Sequence, residues 1–244
     1  MLVFVHGAAD DGRAWRPQLT ELADRFTVVA WDEPGAGRSS DPPQDFGLGD
    51  YADCLAGLIE SLGLGPAHVA GLSWGGTVAL ELYRRQPERV ATLILAGTYA
   101  GWKGSLSEEE VRERVAGMEA MLAAPPEQFD PTLPGLFAGD PPARFAPLLA
   151  EIAAGVRAAS LERELRLMAE TDQRTLLPQI RVPTLLLWGE SDVRSPLTVA
   201  GQFEEAIPDA ELVVIPGAGH FSNLEEPERF NAAIRKFLQR FEHS

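Results

Sequence analysis

One short stretch constrains the fold of this chain more than any other, the G-x-S-x-G sequence at residues 71–75. An apolar run at residues 68–70 leads into it, and a helix-like run at residues 77–85 follows. Between a strand and a helix, this spacing predicts a sharp turn that lifts a serine hydroxyl out of the sheet. Ser73 is therefore the candidate nucleophile. The alternative is that the flanking glycines belong to an ordinary loop and Ser73 caps the helix.

The rest of the chain alternates strand-like and helix-like segments. The other strand-like segments are apolar runs at residues 2–5, 26–31, 90–96, 182–188 and 211–215. Their alternation with helical spacing predicts right-handed crossovers and an α/β fold, with a mostly parallel sheet and helices on both faces. Ligands of such sheets bind at the carboxyl ends of the strands, and Ser73 follows one of those ends.

The strand signal disappears from residue 99 to about residue 178. Ser107 and Glu110 form a capping-box pattern there, ahead of an apolar stripe with helical spacing. We therefore divide the chain into an α/β core, residues 1–98 and 179–244, and a helical insertion, residues 99–178. Because loops at the binding edge of α/β folds carry function, the insertion is predicted to form a lid over the strand ends. The alternative is a helical bundle packed at the side of the core.

The predicted lid contains several large apolar side chains that could line a pocket. Trp102 is the candidate substrate-binding residue among them. The alternative for Trp102, and for its neighbours Met118, Met121 and Phe137, is core packing within the lid.

A serine nucleophile needs a base to take its proton, and the chain has four histidines. His243 lies in the C-terminal tail, and His68 begins the strand that leads to Ser73, at the end away from the site. His6 precedes a glycine and is expected to hold its loop by hydrogen bonding. His220 follows a strand in a glycine-rich turn, on the same edge as Ser73. His220 is therefore the predicted base, with a hydrogen-bonded loop histidine as the alternative.

The base in turn needs a carboxylate to hold its tautomer. Asp192 follows the strand at residues 182–188, between Ser73 and His220 in sequence, and is the predicted acid. Glu190 lies nearer that strand and is the alternative, although its side chain is expected to point elsewhere. Asp32 also ends a strand, but it precedes the nucleophile and is expected to hold the loop around residues 35–37.

An oxyanion hole requires two backbone N–H groups aimed at the developing negative charge. One is expected from Trp74, directly after the nucleophile and at the start of a helix. The other is expected from the loop after the first strand, at Ala8.

Composition narrows the classes of partner. The chain has 244 residues, 45% hydrophobic residues and a net charge of −15, with a pI near 4.7. Such an acidic chain is not expected to bind nucleic acid or anionic membranes. Its single cysteine, Cys54, excludes an internal disulfide and C-x-x-C metal sites, and is predicted to be a small core residue. No apolar run could span a bilayer and no secretory signal is evident, so a cytoplasmic location is expected.

Taken together, these motifs resemble the α/β-hydrolase fold family across nearly the whole chain. The matching elements are His6-Gly7, Asp32-x-Pro34-Gly35-x-Gly37-x-Ser39, Gly71-x-Ser73-x-Gly75, Gly189-x-x-Asp192 with Pro196, and Gly219-His220. The stretch from Gly219 to Pro227 is similar to the 3-oxoadipate enol-lactonase branch. Family members usually carry two strands before the His-Gly strand, which here begins at Met1. The sheet is therefore predicted to be shortened, with the strand at residues 27–31 as an exposed edge, and association into a homo-oligomer through that edge is a hypothesis.

The sequence thus predicts a serine hydrolase that cleaves a small-molecule carboxylic ester or lactone through an acyl-enzyme, with neither a metal nor an organic cofactor. A dehalogenase or epoxide hydrolase of this fold would need a carboxylate in place of Ser73. The alternatives on the same triad are aminopeptidase or amidase activity, hydrolysis of a C–C bond, and cofactor-free haloperoxidation. A small-molecule receptor without catalysis is a further alternative, and a scaffold role is the last.

Overall fold

The fold was obtained as a computed structural model that describes residues 1–124 and 134–241. The strands are β1 (Leu2–Val5), β2 (Val28–Trp31), β3 (Ala67–Leu72), β4 (Val90–Ala96), β5 (Thr184–Gly189) and β6 (Ala210–Ile215). They form one six-stranded sheet in the order β2-β1-β3-β4-β5-β6, and every neighbouring pair is parallel. The predicted α/β fold with a parallel sheet is therefore confirmed.

Strand burial follows position in the sheet. The inner strands are almost continuously buried, as expected where helices cover both faces of a parallel sheet. The two edge strands, β2 and β6, are mostly half-buried. β2 pairs with β1 on one side and is the edge strand that the sequence predicts near residues 27–31.

Helices pack on both faces of this sheet. Those of the described residues are α1 (Arg16–Leu22), α2 (Leu48–Leu62), α3 (Trp74–Arg85), α4 (Glu108–Leu122), α5 (Ala146–Gly155), α6 (Ala158–Glu170), α7 (Leu197–Ala206), α8 (Ser222–Glu225) and α9 (Pro227–Leu238). Residues of α1, α8 and α9 pack in one apolar cluster with the strands. Residues of α2, α3 and α7 pack in the other, which also takes in α6. Short 3-10 turns lie at Gly12–Trp15, Pro87–Arg89, Ala143–Phe145, Leu177–Gln179 and Gln239–Phe241.

The insertion between β4 and β5 is helical where the structure describes it, with α4, α5 and α6 in succession. The predicted capping box begins α4: the Glu110 N–H donates to Ser107 Oγ at 3.3 Å, and the Ser107 N–H donates to Glu110 Oε2 at 2.8 Å. Acidic residues fill the first turn of α4, where they complement the helix dipole.

The prediction for Cys54 is wrong, because its side chain is exposed. The buried face of α2 carries Tyr51, Leu55 and Ile59. Successive side chains on a helix point in directions about 100° apart. Cys54, directly before Leu55, therefore faces away from the core. Across the part of the chain that the structure describes, no helix combines the length and apolarity needed to cross a bilayer.

Candidate active site

Ser73 occupies a strained turn between β3 and α3. Its backbone dihedrals are φ 52° and ψ −116°, a region that a residue with a side chain rarely adopts. The Ser73 carbonyl accepts hydrogen bonds from the Gly76 N–H at 3.0 Å and from the Thr98 hydroxyl at 2.6 Å. These bonds hold the turn in the conformation that G-x-S-x-G predicts.

The flanking glycines are required because backbone passes close on both sides of the serine. A Cβ on Gly71 would lie 2.4 Å from the Gly75 carbonyl oxygen. A Cβ on Gly75 would lie 2.3 Å from the Val5 carbonyl oxygen. Both distances are far inside van der Waals contact, so any larger residue would force the strand, the helix and the loop after β1 apart. This excludes the alternative that the two glycines belong to an ordinary loop.

The backbone N–H groups of Ala8 and Trp74 form no hydrogen bond with the described residues. Trp74 is the first residue of α3, where helix N–H groups are unpaired and the helix dipole is positive. The next residue after Ala8, Ala9, has φ 60°, which bends the loop after β1 sharply. The donors predicted from sequence are therefore both unoccupied by protein groups.

Asp192 and His220 are brought together at the ends of β5 and β6. The His220 Nδ1–H donates to Asp192 Oδ2 at 2.8 Å, and both side chains are almost completely buried. Asp192 Oδ1 accepts the N–H groups of Arg194 at 2.9 Å and Ser195 at 2.8 Å. All of these bonds aim the carboxylate at one ring nitrogen. A Cβ on Gly189 would lie 2.0 Å from the Gly219 carbonyl oxygen, so the two loops pass in contact.

The end of β4 connects this pair to the serine. The Ser73 N–H donates to the Ala96 carbonyl at 2.9 Å. A Cβ on the next residue, Gly97, would lie 3.0 Å from Asp192 Oδ2 and 3.1 Å from His220 Nδ1. Ser73, Asp192 and His220 thus border the same few residues at one strand edge. No motif in the sequence indicates that Gly97 and Thr98 shape the site.

The other histidines lie elsewhere. His6 is buried, its Nδ1–H donates to the Gly7 carbonyl at 2.8 Å, and its Nε2 accepts from the Glu33 N–H at 3.4 Å. Burial lowers the pKa of His6, consistent with a neutral ring that holds the loop as predicted. His68 bonds Thr92 Oγ1 at the start of β3, and burial lowers its pKa to about 4. His243 lies outside the described residues.

The alternative acids have structural contacts of their own. Asp32 accepts the N–H groups of Gly12 at 2.9 Å and Arg38 at 3.0 Å, which holds the loop after β2 as predicted. Glu190 is exposed and accepts the Gly217 N–H at 2.9 Å, so its side chain points away from His220. Of these three acids, Asp192 is the one whose carboxylate is hydrogen-bonded to the His220 ring.

Trp102 is buried in the insertion, against the same apolar cluster as Leu165 and Met168. The backbone N–H of Trp102 donates to the Met168 carbonyl at 2.8 Å, and the Arg114 guanidinium lies 5.5 Å from the centre of the Trp102 ring. The indole Nε1 has no acceptor among the described residues. Within residues 1–124 and 134–241, no three His, Cys, Asp or Glu side chains are placed to hold a metal ion.

Comparison with known proteins gives a consistent assignment. The sequence model of the alpha/beta hydrolase family matches residues 2–233. The chain is 31% identical over 231 residues to an inferred carbamate hydrolase, RutD, of Azorhizobium caulinodans, a match that covers 91% of this chain and 85% of that protein.

Solved structures agree with this family. A thermophilic esterase from Thermogutta terrifontis superposes with a TM-score of 0.80 and 33% identity, covering 98% of this chain and 89% of the esterase. The enol-lactonase from Burkholderia xenovorans LB400 superposes with a TM-score of 0.81 and 26% identity, covering 98% and 90% of the two chains.

Proposed function

We propose that this chain, which belongs to the alpha/beta hydrolase family, is a serine hydrolase that cleaves a small-molecule carboxylic ester or lactone through an acyl-enzyme. One observation carries the proposal: the buried His220–Asp192 hydrogen bond at the strand edge where Ser73 stands on its strained turn. A buried imidazole held in one tautomer, at the same strand edge as a serine on a sharp turn, is the arrangement that general-base activation requires.

In the proposed reaction, Ser73 Oγ attacks the substrate carbonyl while its proton passes to His220 Nε2. Asp192, bonded to Nδ1–H, stabilises the imidazolium that forms. The N–H groups of Ala8 and Trp74 bind the oxyanion of the tetrahedral intermediate. The intermediate collapses, and the leaving alkoxide takes the proton from Nε2. Water then attacks the acyl-enzyme by the same route, releasing the acid and restoring Ser73.

Contacts of the helical insertion support the proposal that residues 99–178 act as a lid. The Phe221 N–H, directly after His220, donates to the Leu136 carbonyl at 2.8 Å. Arg194 Nη1, on the loop of the acid, donates to the Pro134 carbonyl at 2.9 Å. The insertion thus touches the loops that carry both members of the His–Asp pair. Trp102 is the proposed substrate contact within it, since a buried indole N–H without a protein acceptor can donate to a ligand.

Turnover on a matched substrate panel tests the proposal. The panel comprises p-nitrophenyl esters of increasing acyl length, simple lactones, an aryl carbamate and aminoacyl amides. The carbamate is included because of the inferred carbamate hydrolase among the relatives. We expect measurable kcat/KM on esters or lactones, well above that on amides, and its loss in Ser73→Ala. Turnover in Ser73→Ala equal to that of the wild type would overturn the proposal, and preference for the carbamate or an amide would move it to another acyl substrate on the same triad.

A further inference from the structure

Two buried carboxyl groups meet behind the proposed oxyanion hole. Glu33 lies in the loop after β2 with 0% of its surface exposed, and Glu164 lies on α6, in the helical insertion, with 3% exposed. Burial and the neighbouring Glu164 carboxyl together raise the pKa of Glu33, so the two groups lie close to each other. The proposed mechanism uses neither of them, and a buried acid pair of this kind is uncommon without a role.

The pair is hydrogen-bonded to both sides of the proposed oxyanion hole. The Trp74 indole Nε1–H donates to Glu33 Oε1 at 2.8 Å and to Oε2 at 2.9 Å. The Ala9 N–H, directly after Ala8, donates to Glu164 Oε2 at 3.3 Å. The Glu33 backbone N–H donates to His6 Nε2 at 3.4 Å, on the same loop after β1. The carboxyl pair therefore links the loop after β1, the start of α3 and helix α6.

No Lys, Arg or His within residues 1–124 and 134–241 forms an ion pair with either carboxyl. The charged or titratable groups that face the pair from neighbouring elements are Tyr51 on α2, Arg163 on α6, and His6 and Asp10 in the loop after β1. Two neighbouring carboxylates in such a buried place are strongly disfavoured from both being charged. Burial raises the pKa of both groups, that of Glu164 to about 8. At neutral pH the pair therefore holds at least one proton.

We propose that Glu33 and Glu164 are positioning residues of the oxyanion hole, a proton-sharing carboxyl pair that fixes Ala8 and Trp74 relative to each other and ties helix α6 to them. This inference rests on the proposed function, since it assigns the two N–H groups to an oxyanion. Loss of the shared proton at alkaline pH separates the two carboxylates. The loop after β1 then moves relative to Trp74, and turnover falls while substrate binding changes little.

The test compares pH profiles of kcat and KM for the wild type, Glu164→Ala, Glu164→Gln and a control, Glu162→Gln. Glu162 lies on the same helix, but its side chain is 43% exposed and pairs with Arg166. We expect Glu164→Ala to lower kcat about 10- to 100-fold with KM near the wild-type value, because small misplacements of catalytic groups have effects of this size. A carboxamide keeps the hydrogen bonds without a titrating proton. Glu164→Gln should therefore keep most of the neutral-pH activity and lose the alkaline decline.

The control variant should follow the wild type at every pH. An alkaline limb in Glu164→Gln identical to that of the wild type would overturn the inference, as would a wild-type kcat in Glu164→Ala. If Glu164→Ala does not fold, the Glu164→Gln profile decides.

An infrared difference spectrum separates this inference from the proposed function because it needs no turnover. At pH 7 the wild type should show absorption of a buried protonated carboxyl that is reduced in Glu164→Gln and retained in Glu162→Gln. Spectra that are the same in all three proteins would overturn the shared proton even if Ser73→Ala is inactive. Conversely, full activity of Ser73→Ala would refute the proposed function while leaving the carboxyl absorption in place.

Discussion

Gly97→Ala perturbs the His–Asp pair without removing either member. Gly97 follows β4 with φ 48°. The added Cβ would lie 3.0 Å from Asp192 Oδ2, 3.1 Å from His220 Nδ1 and 3.2 Å from His220 Cε1. Distances this short require the two side chains to give way by a few tenths of an ångström. The methyl group therefore acts on the 2.8 Å hydrogen bond between Nδ1 and Oδ2.

Two effects of different size follow from this geometry. An alanine in the left-handed region destabilises the fold by about 1–2 kcal/mol. Displacement of the imidazole is expected to lower kcat/KM by about 10- to 100-fold, since a misplacement of about 1 Å can reduce rate 100-fold. The fold should therefore survive while catalysis is strongly impaired.

Gly217→Ala is the matched control. Gly217 has φ 73° in the loop after β6, and a Cβ there meets no atom within 4 Å. Both variants should lose similar stability in urea denaturation, but only Gly97→Ala should lose activity on a p-nitrophenyl ester. A Gly97→Ala enzyme with wild-type kcat/KM would refute the reasoning, as would equal inactivation by Gly217→Ala.

Three further expectations concern the acid, the oxyanion donor and the buried carboxyl pair. Asp192→Asn should lower kcat by about 10⁴-fold while Glu190→Gln is silent, and the reverse result in steady-state kinetics would show that the wrong acid was chosen. Ala8→Pro removes a backbone donor and should lower kcat by about 10²–10³-fold in a protein whose circular dichroism is unchanged; wild-type turnover would move the donor elsewhere. Because the folded protein retains a Glu164 proton that the unfolded chain releases above its ordinary pKa of 4.5, the free energy of unfolding should fall as pH rises from there towards 8. In Glu164→Gln, the free energy of unfolding should change with pH less steeply, by up to about 1.4 kcal/mol per pH unit. An unchanged pH dependence would contradict the raised pKa of Glu164.

The features that sequence reasoning identified have either a local signal or a position that the topology of a parallel sheet fixes. The G-x-S-x-G spacing predicts the Ser73 turn because its backbone geometry is set within five residues. Asp192 and His220 could be assigned because the carboxyl ends of parallel strands meet at one edge of the sheet, whatever their separation in sequence. Strand β2 could be predicted because its apolar run alternates with helical segments on either side.

The features that sequence reasoning missed depend on three-dimensional packing. Glu33 and Glu164 lie on segments far apart in the chain, and no spacing rule indicates that an insertion helix meets the loop after β2. The prediction for Cys54 failed because the sequence pattern defines the edge of a buried helical stripe only to within one residue. Gly97 is distinguished by its left-handed φ and by the two side chains that approach it, both of which require coordinates.

Covalent labelling with a fluorophosphonate tests the central claim most directly, because this probe reacts with a serine that a neighbouring base activates. Intact-mass measurement and peptide mapping should find one adduct, on Ser73, and none in Ser73→Ala. In His220→Ala the labelling rate should fall by several orders of magnitude. An adduct on another residue, or an undiminished labelling rate in His220→Ala, would contradict the assignment of Ser73 as a nucleophile activated by the His220–Asp192 pair.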